Sequence, residues 1–239
     1  MTTHGFVADT IAFSNVDGPG NRFVVFLQGC NFDCVACHNP QTIPVAHGDR
    51  FRTTVPELLD RIRRAEPFLG GITVSGGEAT LQSEFVHELF TAVKGDRQLA
   101  RLTCFVDSNG AADAATWRFL APVMDGAMID LKCFDPVIHE TMTGQSNEPV
   151  LRSIELLAGM GLLYEVRLLL LHRVNDSPSL LRRTAEWLAS VDPSMRVKVI
   201  GFRGHGARPH EPELVEPTVG ELTSAAASLQ VADLDLCII

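Results

Sequence analysis

The sequence predicts an α/β fold in which parallel strands alternate with helices. Six short apolar segments recur along the 239 residues, each followed by a stretch with the 3.6-residue periodicity of an amphipathic helix. Because strand and helix alternate along the chain, the strands are expected to be parallel. We therefore expect a partial (β/α)6 barrel of the TIM type, formed by a single domain spanning residues 1–239. An open doubly wound sheet is the alternative that periodicity does not exclude.

The predicted elements follow one another with short polar connections. The expected strands are 22–27, 71–75, 102–107, 127–131, 163–171 and 196–202, with 234–239 as a final edge strand. The expected helices are 54–66, 81–94, 112–120, 150–160, 179–190 and 218–229. Thr53 or Thr54 should cap the first helix, with Glu57 in its first turn. Residues 5–20 are expected to end in a tight turn.

Composition and charge exclude several classes of function. With a net charge of −9, the chain lacks the clustered Lys and Arg that bind nucleic-acid phosphates. No apolar stretch of about 18 residues could span a membrane, and residues 1–20 lack the apolar segment of a signal peptide. The protein is therefore expected in the cytoplasm, where cysteines stay reduced and hold metals or serve catalysis. The scattered Cys104, Cys133 and Cys237 are expected to be small buried apolar side chains.

The most informative segment directly follows the first predicted strand. Cys30, Cys34 and Cys37 lie within eight residues of one another, and short spacings of this kind ligate iron–sulfur clusters. Three ligands leave one iron of a four-iron cluster open to a small molecule. A zinc site completed by His38 is the alternative, but His38 directly follows Cys37, and neighbouring residues rarely reach the same tetrahedral ion. The spacing therefore favours a [4Fe–4S] cluster.

Polar residues also stand at the ends of the other predicted strands, where barrels and doubly wound sheets both place their chemistry. The segment Ser75-Gly76-Gly77-Glu78 has two interpretations. Its glycines either let the backbone approach a ligand closely or form a tight connection between a strand and a helix. Residues 107–110 are expected either to bind a ligand or to form an Asx-type turn. Asp130 and Lys132 are likewise expected either to bind a ligand or to form a surface ion pair. Arg167 lies within an apolar strand and is expected to point inward and be paired.

The eight histidines divide by context. His38 follows the loop that carries Cys30, Cys34 and Cys37, called the cysteine loop below. His172 is expected to line the mouth of the barrel. His205 lies in a glycine-rich, basic segment after the last strand, which suits an anionic or purine ligand or forms a mobile loop. Surface or capping positions are expected for the remaining histidines, which are His4, His47, His87, His139 and His210.

Taken in order, these motifs resemble those of radical S-adenosylmethionine (SAM) enzymes. Within that superfamily they resemble the activating enzymes of glycyl-radical enzymes, the group typified by pyruvate formate-lyase activating enzyme. The resemblance covers nearly the whole chain and is greatest to the branch labelled YjjW. The segments that carry it are 16–20, 28–30, 37–39, 71–82, 107–110, 125–128, 130–132 and 205–206.

The resemblance implies a mechanism and a set of cofactor contacts. Cys30, Cys34 and Cys37 would hold a [4Fe–4S] cluster, and SAM would chelate its open iron. SAM would then be cleaved to methionine and a 5′-deoxyadenosyl radical, which in the activases takes a hydrogen atom from a glycine of a partner enzyme. The implied SAM contacts are the Ala36 backbone, Gly76, Gly77, Glu78, Ser108, Asp130, Lys132, Arg167 and His205. A monovalent cation near SAM is implied at Asp107, Ser108, Met128 and Asp130.

Three departures from the family pattern affect the prediction. Ala36 precedes the third cysteine, where an aromatic residue is common in the superfamily. The last strand is followed by Phe202-Arg203, where activases have Tyr-His. Residues 41–53 lead straight to the next helix, where activases of the YjjW branch carry a cysteine-rich ferredoxin-like insert. An external one-electron donor of the flavodoxin or ferredoxin type is therefore expected.

The short 41–53 connection keeps other functions open. One is a radical SAM epimerase or oxidoreductase acting on a small molecule, such as a sugar in natural-product biosynthesis. An epimerase must return a hydrogen atom, for which a cysteine thiol is the usual donor. Cys133, next to Lys132, is the candidate for this role. The alternative is that its side chain only packs beneath the rim of the barrel. A third hypothesis is a non-enzymatic iron–sulfur or zinc scaffold protein.

Overall fold

The computed structural model describes residues 3–45, 51–230 and 233–239. The chain forms two compact units, each assembled from separate segments. The first unit contains Met1–Asn31, Gln41–Ser108 and Ala112–Met128, and the second contains Phe32–Pro40, Asn109–Ala111 and Ile129–Ile239. The single domain expected over residues 1–239 stays a prediction.

The first unit is built on a mixed sheet. Its strands are β1 (His4–Ser14), β2 (Arg22–Leu27), β3 (Arg52–Thr54), β4 (Gly71–Gly76), β5 (Thr103–Ser108) and β6 (Gly126–Asp130), whose last two residues belong to the second unit. They lie in the order β3-β1-β2-β4-β5-β6. Strand β4 is parallel to β2 and β5, whereas β1 is antiparallel to β2 and β3. The helices of this unit are α1 (Val55–Ala65), α2 (Ser83–Gly95) and α3 (Ala114–Leu120).

The second unit combines parallel strands with four helices in its described residues. Its strands are β7 (Leu163–Leu170), β8 (Arg196–Gly201) and β9 (Asp235–Ile238), and β8 pairs in parallel with both β7 and β9. Its helices are α4 (Pro136–Thr143), α5 (Glu148–Gly159), α6 (Pro178–Val191) and α7 (Val219–Leu229). Within the part of the chain that the structure describes, no helix has both the length and the apolar character needed to cross a membrane.

The predicted alternation of strands and helices is confirmed. Each of the six predicted strands and six predicted helices is present, with ends within two residues of those expected. The final edge strand is present as β9. Thr54 caps α1 as one of the two expected candidates: its hydroxyl accepts from the Glu57 N–H at 3.4 Å, and its own N–H donates to the Glu57 carboxylate at 2.7 Å. This reciprocal capping box fixes where α1 begins.

Three elements were not predicted. Strand β1 is largely exposed in its second half, so it carries no continuous apolar run, and β3 is only three residues long. Helix α4, in contrast, has helix-start and helix-end signals in the sequence. Asp135 caps it, Pro136 occupies its first position, and Gly144 ends it at a φ of 74°. A proline at the start and a glycine just past the end are the usual limits of a short helix.

The start of β2 carries a buried guanidinium that joins three strands. Arg22 is fully buried, and it donates to the Ile72 carbonyl at 2.5 Å, to the Thr103 hydroxyl at 2.6 Å and to the Pro19 carbonyl at 3.3 Å. Gly71 leaves room for it, because a Cβ built there would lie 2.2 Å from Arg22 Nη1. These hydrogen bonds connect the first residues of β2, β4 and β5.

Replacing Arg22 with methionine should destabilise the fold. The methionine fills similar space but leaves buried carbonyl and hydroxyl groups without their donor, so we expect a loss of about 3 kcal/mol in the free energy of unfolding. Urea denaturation measures this loss. Arg118→Met on the exposed surface of α3 is the matched control and should cost less than about 0.5 kcal/mol. Equal stability of the two variants would contradict a structural role for Arg22.

Candidate functional site

The Gly-Gly turn that ends β4 is packed directly against the backbone of the segment after β2. A Cβ built on Gly76, whose φ is +119°, would lie 2.1 Å from the Leu27 nitrogen. A Cβ on Gly77 would lie 2.1 Å from the Gly29 oxygen and 2.8 Å from the Thr42 oxygen. No real Cβ tolerates such distances to backbone atoms. Both glycines are therefore required by the chain's own packing, before any ligand is considered.

Backbone hydrogen bonds extend this packing to the first cysteine. The Glu78 N–H donates to the Gly29 carbonyl at 2.8 Å, and the Gly29 N–H donates to the Thr42 carbonyl at 2.8 Å. The Cys30 N–H then donates to the Ile43 carbonyl at 3.0 Å. Because backbone groups alone make these bonds, the position of Cys30 relative to Glu78 does not depend on any rotamer.

The Glu78 side chain is buried and joins the ends of β4 and β5. One carboxylate oxygen accepts from the Thr80 N–H at 2.9 Å, the Thr80 hydroxyl at 2.5 Å and the Ser108 hydroxyl at 2.8 Å. Beside it, the Ser75 hydroxyl donates to the Asp107 carboxylate at 2.8 Å. The first unit thus brings together three predicted site residues, namely Glu78, Asp107 and Ser108.

Met128 lies in a different environment. Its side chain is fully buried, and its sulfur borders the same small space as the Arg22 guanidinium: a Cβ built on Gly18 would be 3.5 Å from the Met128 Sδ and 3.5 Å from the Arg22 Nε. The Asp107 carboxylate instead accepts from Ser75. The monovalent cation that was expected at these residues stays a prediction.

In the second unit, the turn that holds Cys34 and Cys37 rests on the end of α4. The Asp33 and Val35 N–H groups donate to the last two carbonyls of α4, at 3.0 and 2.9 Å. The Cys37 N–H closes the turn onto the Cys34 carbonyl at 3.2 Å. The carbonyls at a helix C-terminus have no partners within the helix, so this turn satisfies groups that would otherwise need water.

Charged groups surround Cys34. Burial raises the pKa of its thiol, whereas the nearby Lys132 ammonium lowers it, and Cys37, Asp130 and Asp33 raise it further. Lys132 is itself paired with Asp130 at 2.7 Å. The ion pair, one of the two alternatives for Asp130 and Lys132, is therefore present, and it lies close to a predicted cluster ligand; their binding of a ligand stays a prediction. Lys132 is the positive charge that favours the ionised form of this thiol.

Arg167 is buried and paired, as expected. Its Nε donates to the Glu165 carboxylate at 2.7 Å, and the Lys198 ammonium lies 3.7 Å from the same carboxylate. The Arg167 carbonyl accepts from the Leu131 N–H at 3.0 Å. Arg167 is thus fixed by an ion pair within its own strand. Its predicted contact with SAM stays a prediction.

The segment after β8 contacts the cysteine turn. The His38 Nε2 lies 2.7 Å from the Arg203 carbonyl, and the Arg208 N–H donates to the Cys37 carbonyl at 3.0 Å. The Arg208 guanidinium also binds the carboxylate of Asp33. His205, a predicted SAM contact, is exposed between these anchors. Arg208 was not predicted as a site residue, although the basic, glycine-rich sequence around it was noted.

Cys133 and Ala36 lie in one apolar cluster beneath the cysteine turn. Its other buried members are Met142, Leu171, Leu180 and Phe202. Burial raises the pKa of the Cys133 thiol to about 11, and only 4% of the residue is exposed. Cys133 therefore packs within this cluster, and its role as a hydrogen-atom donor stays a prediction. The Ala36 backbone contact with SAM stays a prediction.

The other two scattered cysteines differ from each other. Cys104 is fully buried, as expected, and burial raises the pKa of its thiol to about 12. Cys237 is exposed, so the expectation of a buried side chain is wrong there. It lies on the edge strand β9, where little of the sheet's face is covered.

The histidine predictions were partly wrong. His139 was expected at the surface, but it is fully buried on α4, with its ring edge-on to Phe32. Its Nδ1 lies 3.2 Å from the Cys133 carbonyl, and its Nε2 has no hydrogen-bond partner among the described residues. His172 is half-buried between the carboxylates of Asp176 and Glu221, at 3.0 and 3.2 Å. His4, His87 and His210 retain some exposure, and His47 lies outside the described residues.

All six cysteines lie in the described part of the chain, and none of them forms a disulfide. Among residues 3–45, 51–230 and 233–239, no three His, Cys, Asp or Glu side chains are arranged so that they could hold a metal ion. The roles of Cys30, Cys34 and Cys37 as cluster ligands therefore stay a prediction.

Comparison with known proteins defines the class of this protein. The model of the radical SAM superfamily matches residues 24–183, about two thirds of the chain, including the cysteine loop and the Gly-Gly-Glu turn. The chain therefore belongs to the radical SAM superfamily. The family implies a [4Fe–4S] cluster and SAM as cofactors.

The relatives of this chain include activating enzymes. A Haemophilus influenzae protein described as a glycyl-radical enzyme activating enzyme is 33% identical, with 83% of this chain and 82% of that protein aligned. Pyruvate formate-lyase-activating enzyme of Streptococcus mutans is also 33% identical, over 84% of this chain and 79% of that protein. The resemblance to this group of homologues, predicted from the motifs, is confirmed.

A solved structure supports the fold class. A domain of pyruvate-formate lyase-activating enzyme from Bacteroides vulgatus matches with a TM-score of 0.59 and 25% identity, covering 71% of this chain and 99% of that chain. The predicted fold class, an α/β fold of the partial (β/α)6 radical SAM type, is confirmed.

The close packing at Gly77 makes it intolerant of substitution. Gly77→Ala forces the new methyl group against two backbone carbonyls, so we expect the free energy of unfolding to fall by at least about 2 kcal/mol, and the Tm by roughly 4–8 °C. Gly95→Ala at the end of α2 is the control, because a Cβ there meets nothing within 4 Å. Calorimetry on the two apo-proteins tests this. A Gly77→Ala protein that melts with the control contradicts the packing argument.

The buried His139 should make stability fall in acid. Burial lowers its pKa from 6.5 to about 4. The unfolded chain therefore binds a proton that the folded chain does not, so stability is fully present above pH 6.5 and is lost between pH 6.5 and 4. We expect this loss to reach about 3 kcal/mol. His139→Phe removes the titrating group, so urea denaturation at pH 7.5 and 4.5 should show a smaller loss than in the wild type. Parallel losses in both proteins would disprove the role of His139.

Proposed function

We propose that this protein activates a glycyl-radical enzyme by taking a hydrogen atom from one of its glycine residues. The observation that carries the proposal is the 33% identity with two activating enzymes. That identity extends over more than four-fifths of this chain and about four-fifths of each relative. It therefore extends well beyond the short cofactor motifs.

By the chemistry of their side chains, Cys30, Cys34 and Cys37 suit a [4Fe–4S] cluster to which SAM binds. Cysteine thiols are the donors that such clusters use. Lys132 lies near Cys34, where its charge favours the thiolate that binds iron. Cys30, Cys34 and Cys37 would hold the cluster, which, once reduced by an external donor, would supply the one electron that cleaves a carbon–sulfur bond of SAM to give methionine and the 5′-deoxyadenosyl radical.

The strand ends are proposed to bind and orient SAM. The backbone around Gly77 and the Glu78 carboxylate receive the SAM ammonium group, and the hydrogen bond from Ser108 holds that carboxylate in one orientation. Lys132 and Arg167 supply positive charge for the SAM carboxylate. The other proposed contacts are Gly76, the Ala36 backbone, Asp130 and His205.

An external one-electron donor of the flavodoxin or ferredoxin type is proposed to reduce the protein. A second cluster would need further cysteines close together. Cys104 and Cys133 are buried, and Cys237 lies on the edge strand β9. Burial raises the pKa of the Cys104 and Cys133 thiols, which disfavours the thiolates that ligate iron.

The alternative of a small-molecule epimerase needs an accessible hydrogen-atom donor. Its candidate, Cys133, is enclosed in an apolar cluster. The activase proposal requires no such donor, because the hydrogen taken from glycine is not returned to it.

The proposal predicts two linked activities. Anaerobically reconstituted protein with dithionite should convert SAM to 5′-deoxyadenosine. Addition of a glycyl-radical enzyme encoded beside its gene should then give an organic radical, detected by electron paramagnetic resonance. Cys30→Ala should lower both activities at least about 100-fold, because it removes a cluster ligand. Cys237→Ala is the matched control and should retain both.

Two results would count against the activase assignment. SAM cleavage without a radical on the partner protein would leave the radical SAM chemistry standing and overturn the choice of substrate. Epimerisation of a small molecule that is lost in Cys133→Ala would favour the alternative.

A further inference from the structure

Arg208 contacts both ends of the turn that carries Cys34 and Cys37. Its backbone N–H donates to the Cys37 carbonyl at 3.0 Å. Its guanidinium binds the Asp33 carboxylate and lies 3.5 Å from the Cys34 carbonyl. One residue from the segment after β8 therefore holds the residue before Cys34, the carbonyl of Cys34 and the carbonyl of Cys37.

The turn is thereby held from two directions within the second unit. The C-terminal carbonyls of α4 receive the Asp33 and Val35 N–H groups, while Arg208 binds the carbonyls and the carboxylate of the same turn. The two sets of contacts use different atoms of residues 33–37. Replacing the Arg208 side chain would leave the α4 contacts and the backbone bond to Cys37 in place, but would free the Asp33 carboxylate and the Cys34 carbonyl.

Arg208 also brings a positive charge to the cysteines. The hydrogen bond that Arg208 donates to the Asp33 carboxylate raises the pKa of Arg208, and charge interactions with Asp33, Cys37 and Cys34 raise it further. The Arg208 side chain is 33% exposed and that of Asp33 is 69% exposed. Exposed ion pairs of this kind add little to the stability of a fold. Arg208 should therefore affect the position of residues 33–37 and add little to the free energy of unfolding of the whole protein.

We propose that Arg208 is a positioning residue that fixes the Cys34–Cys37 turn and sets the reduction potential of the cluster bound there. This inference rests on the proposed function, since it assumes that the turn holds an iron–sulfur cluster. Reduction adds an electron, so a nearby cation stabilises the reduced cluster and raises its potential, and a nearby carboxylate lowers it. Arg208 and Asp33 should then affect the potential in opposite directions.

The first test compares potentials of reconstituted proteins by redox titration followed by electron paramagnetic resonance. Arg208→Gln should shift the midpoint potential to more negative values, and Asp33→Asn should shift it to more positive values. Arg208→Lys keeps the charge and should stay near the wild type. Arg203→Gln is the matched control, because the Arg203 guanidinium pairs with Glu216, and it should not shift the potential. Shifts of the same sign in Arg208→Gln and Asp33→Asn would overturn the electrostatic role.

The second test needs no cluster. Amide hydrogen exchange of the apo-protein should be about fivefold to tenfold faster at residues 33–37 in Arg208→Gln, since the guanidinium contacts with the Asp33 carboxylate and the Cys34 carbonyl are lost. Arg208→Lys should give an intermediate rate, because a lysine ammonium cannot reproduce the planar guanidinium contacts. Exchange in α5 serves as the internal measure of folding. Unchanged exchange at residues 33–37 would overturn the positioning role.

The two tests separate this inference from the function on which it rests. Wild-type protein that binds no cluster would overturn the proposed function, and the exchange experiment would still decide the positioning role. Wild-type protein that binds a cluster whose potential is indifferent to Arg208 would overturn the electrostatic role alone.

Discussion

The first unit depends on the parallel register of β2 with β4. This register places Leu27 opposite Gly76, so the chain leaving β2 runs against the Gly-Gly turn that leaves β4. The backbone bonds from Gly77 to Leu27 and from Glu78 to Gly29 extend that pairing past the end of both strands. A shift of one residue would break these bonds and reverse which side chains face the core. The geometry around Cys30 follows from the sheet itself.

The second unit positions its cysteines in a different way. Cys34 and Cys37 do not extend a strand. They lie on a turn that is held by the end of a short helix and by the segment after β8. Side-chain charges therefore matter more here: Lys132, Asp130 and Asp33 all act on Cys34. The first unit thus positions its cysteine through backbone bonds, and the second places its cysteines on a turn surrounded by charged side chains.

The parts of this structure that could be predicted are those with a local signal. Buried parallel strands give apolar runs, and the cysteine spacing identifies its own chemistry. Helix α4 carried capping signals at Asp135 and Gly144 that were enough to find it. His139 and Arg208 could not be placed, because burial and contact with a turn about 100 to 175 residues away depend on tertiary packing. The exposed Cys237 was misjudged because an edge strand leaves its residues uncovered.

The glycine pair in the turn after β4 bears on how this fold can change over time. Leu27 and Gly29 set the steric requirement at Gly76 and Gly77, and both belong to the chain itself. A descendant that lost its cysteines and its cofactor would still need both glycines in order to fold. In such a descendant the glycine pair would indicate the same fold but not the same reaction. Only Cys30, Cys34 and Cys37 would indicate that the chemistry is retained.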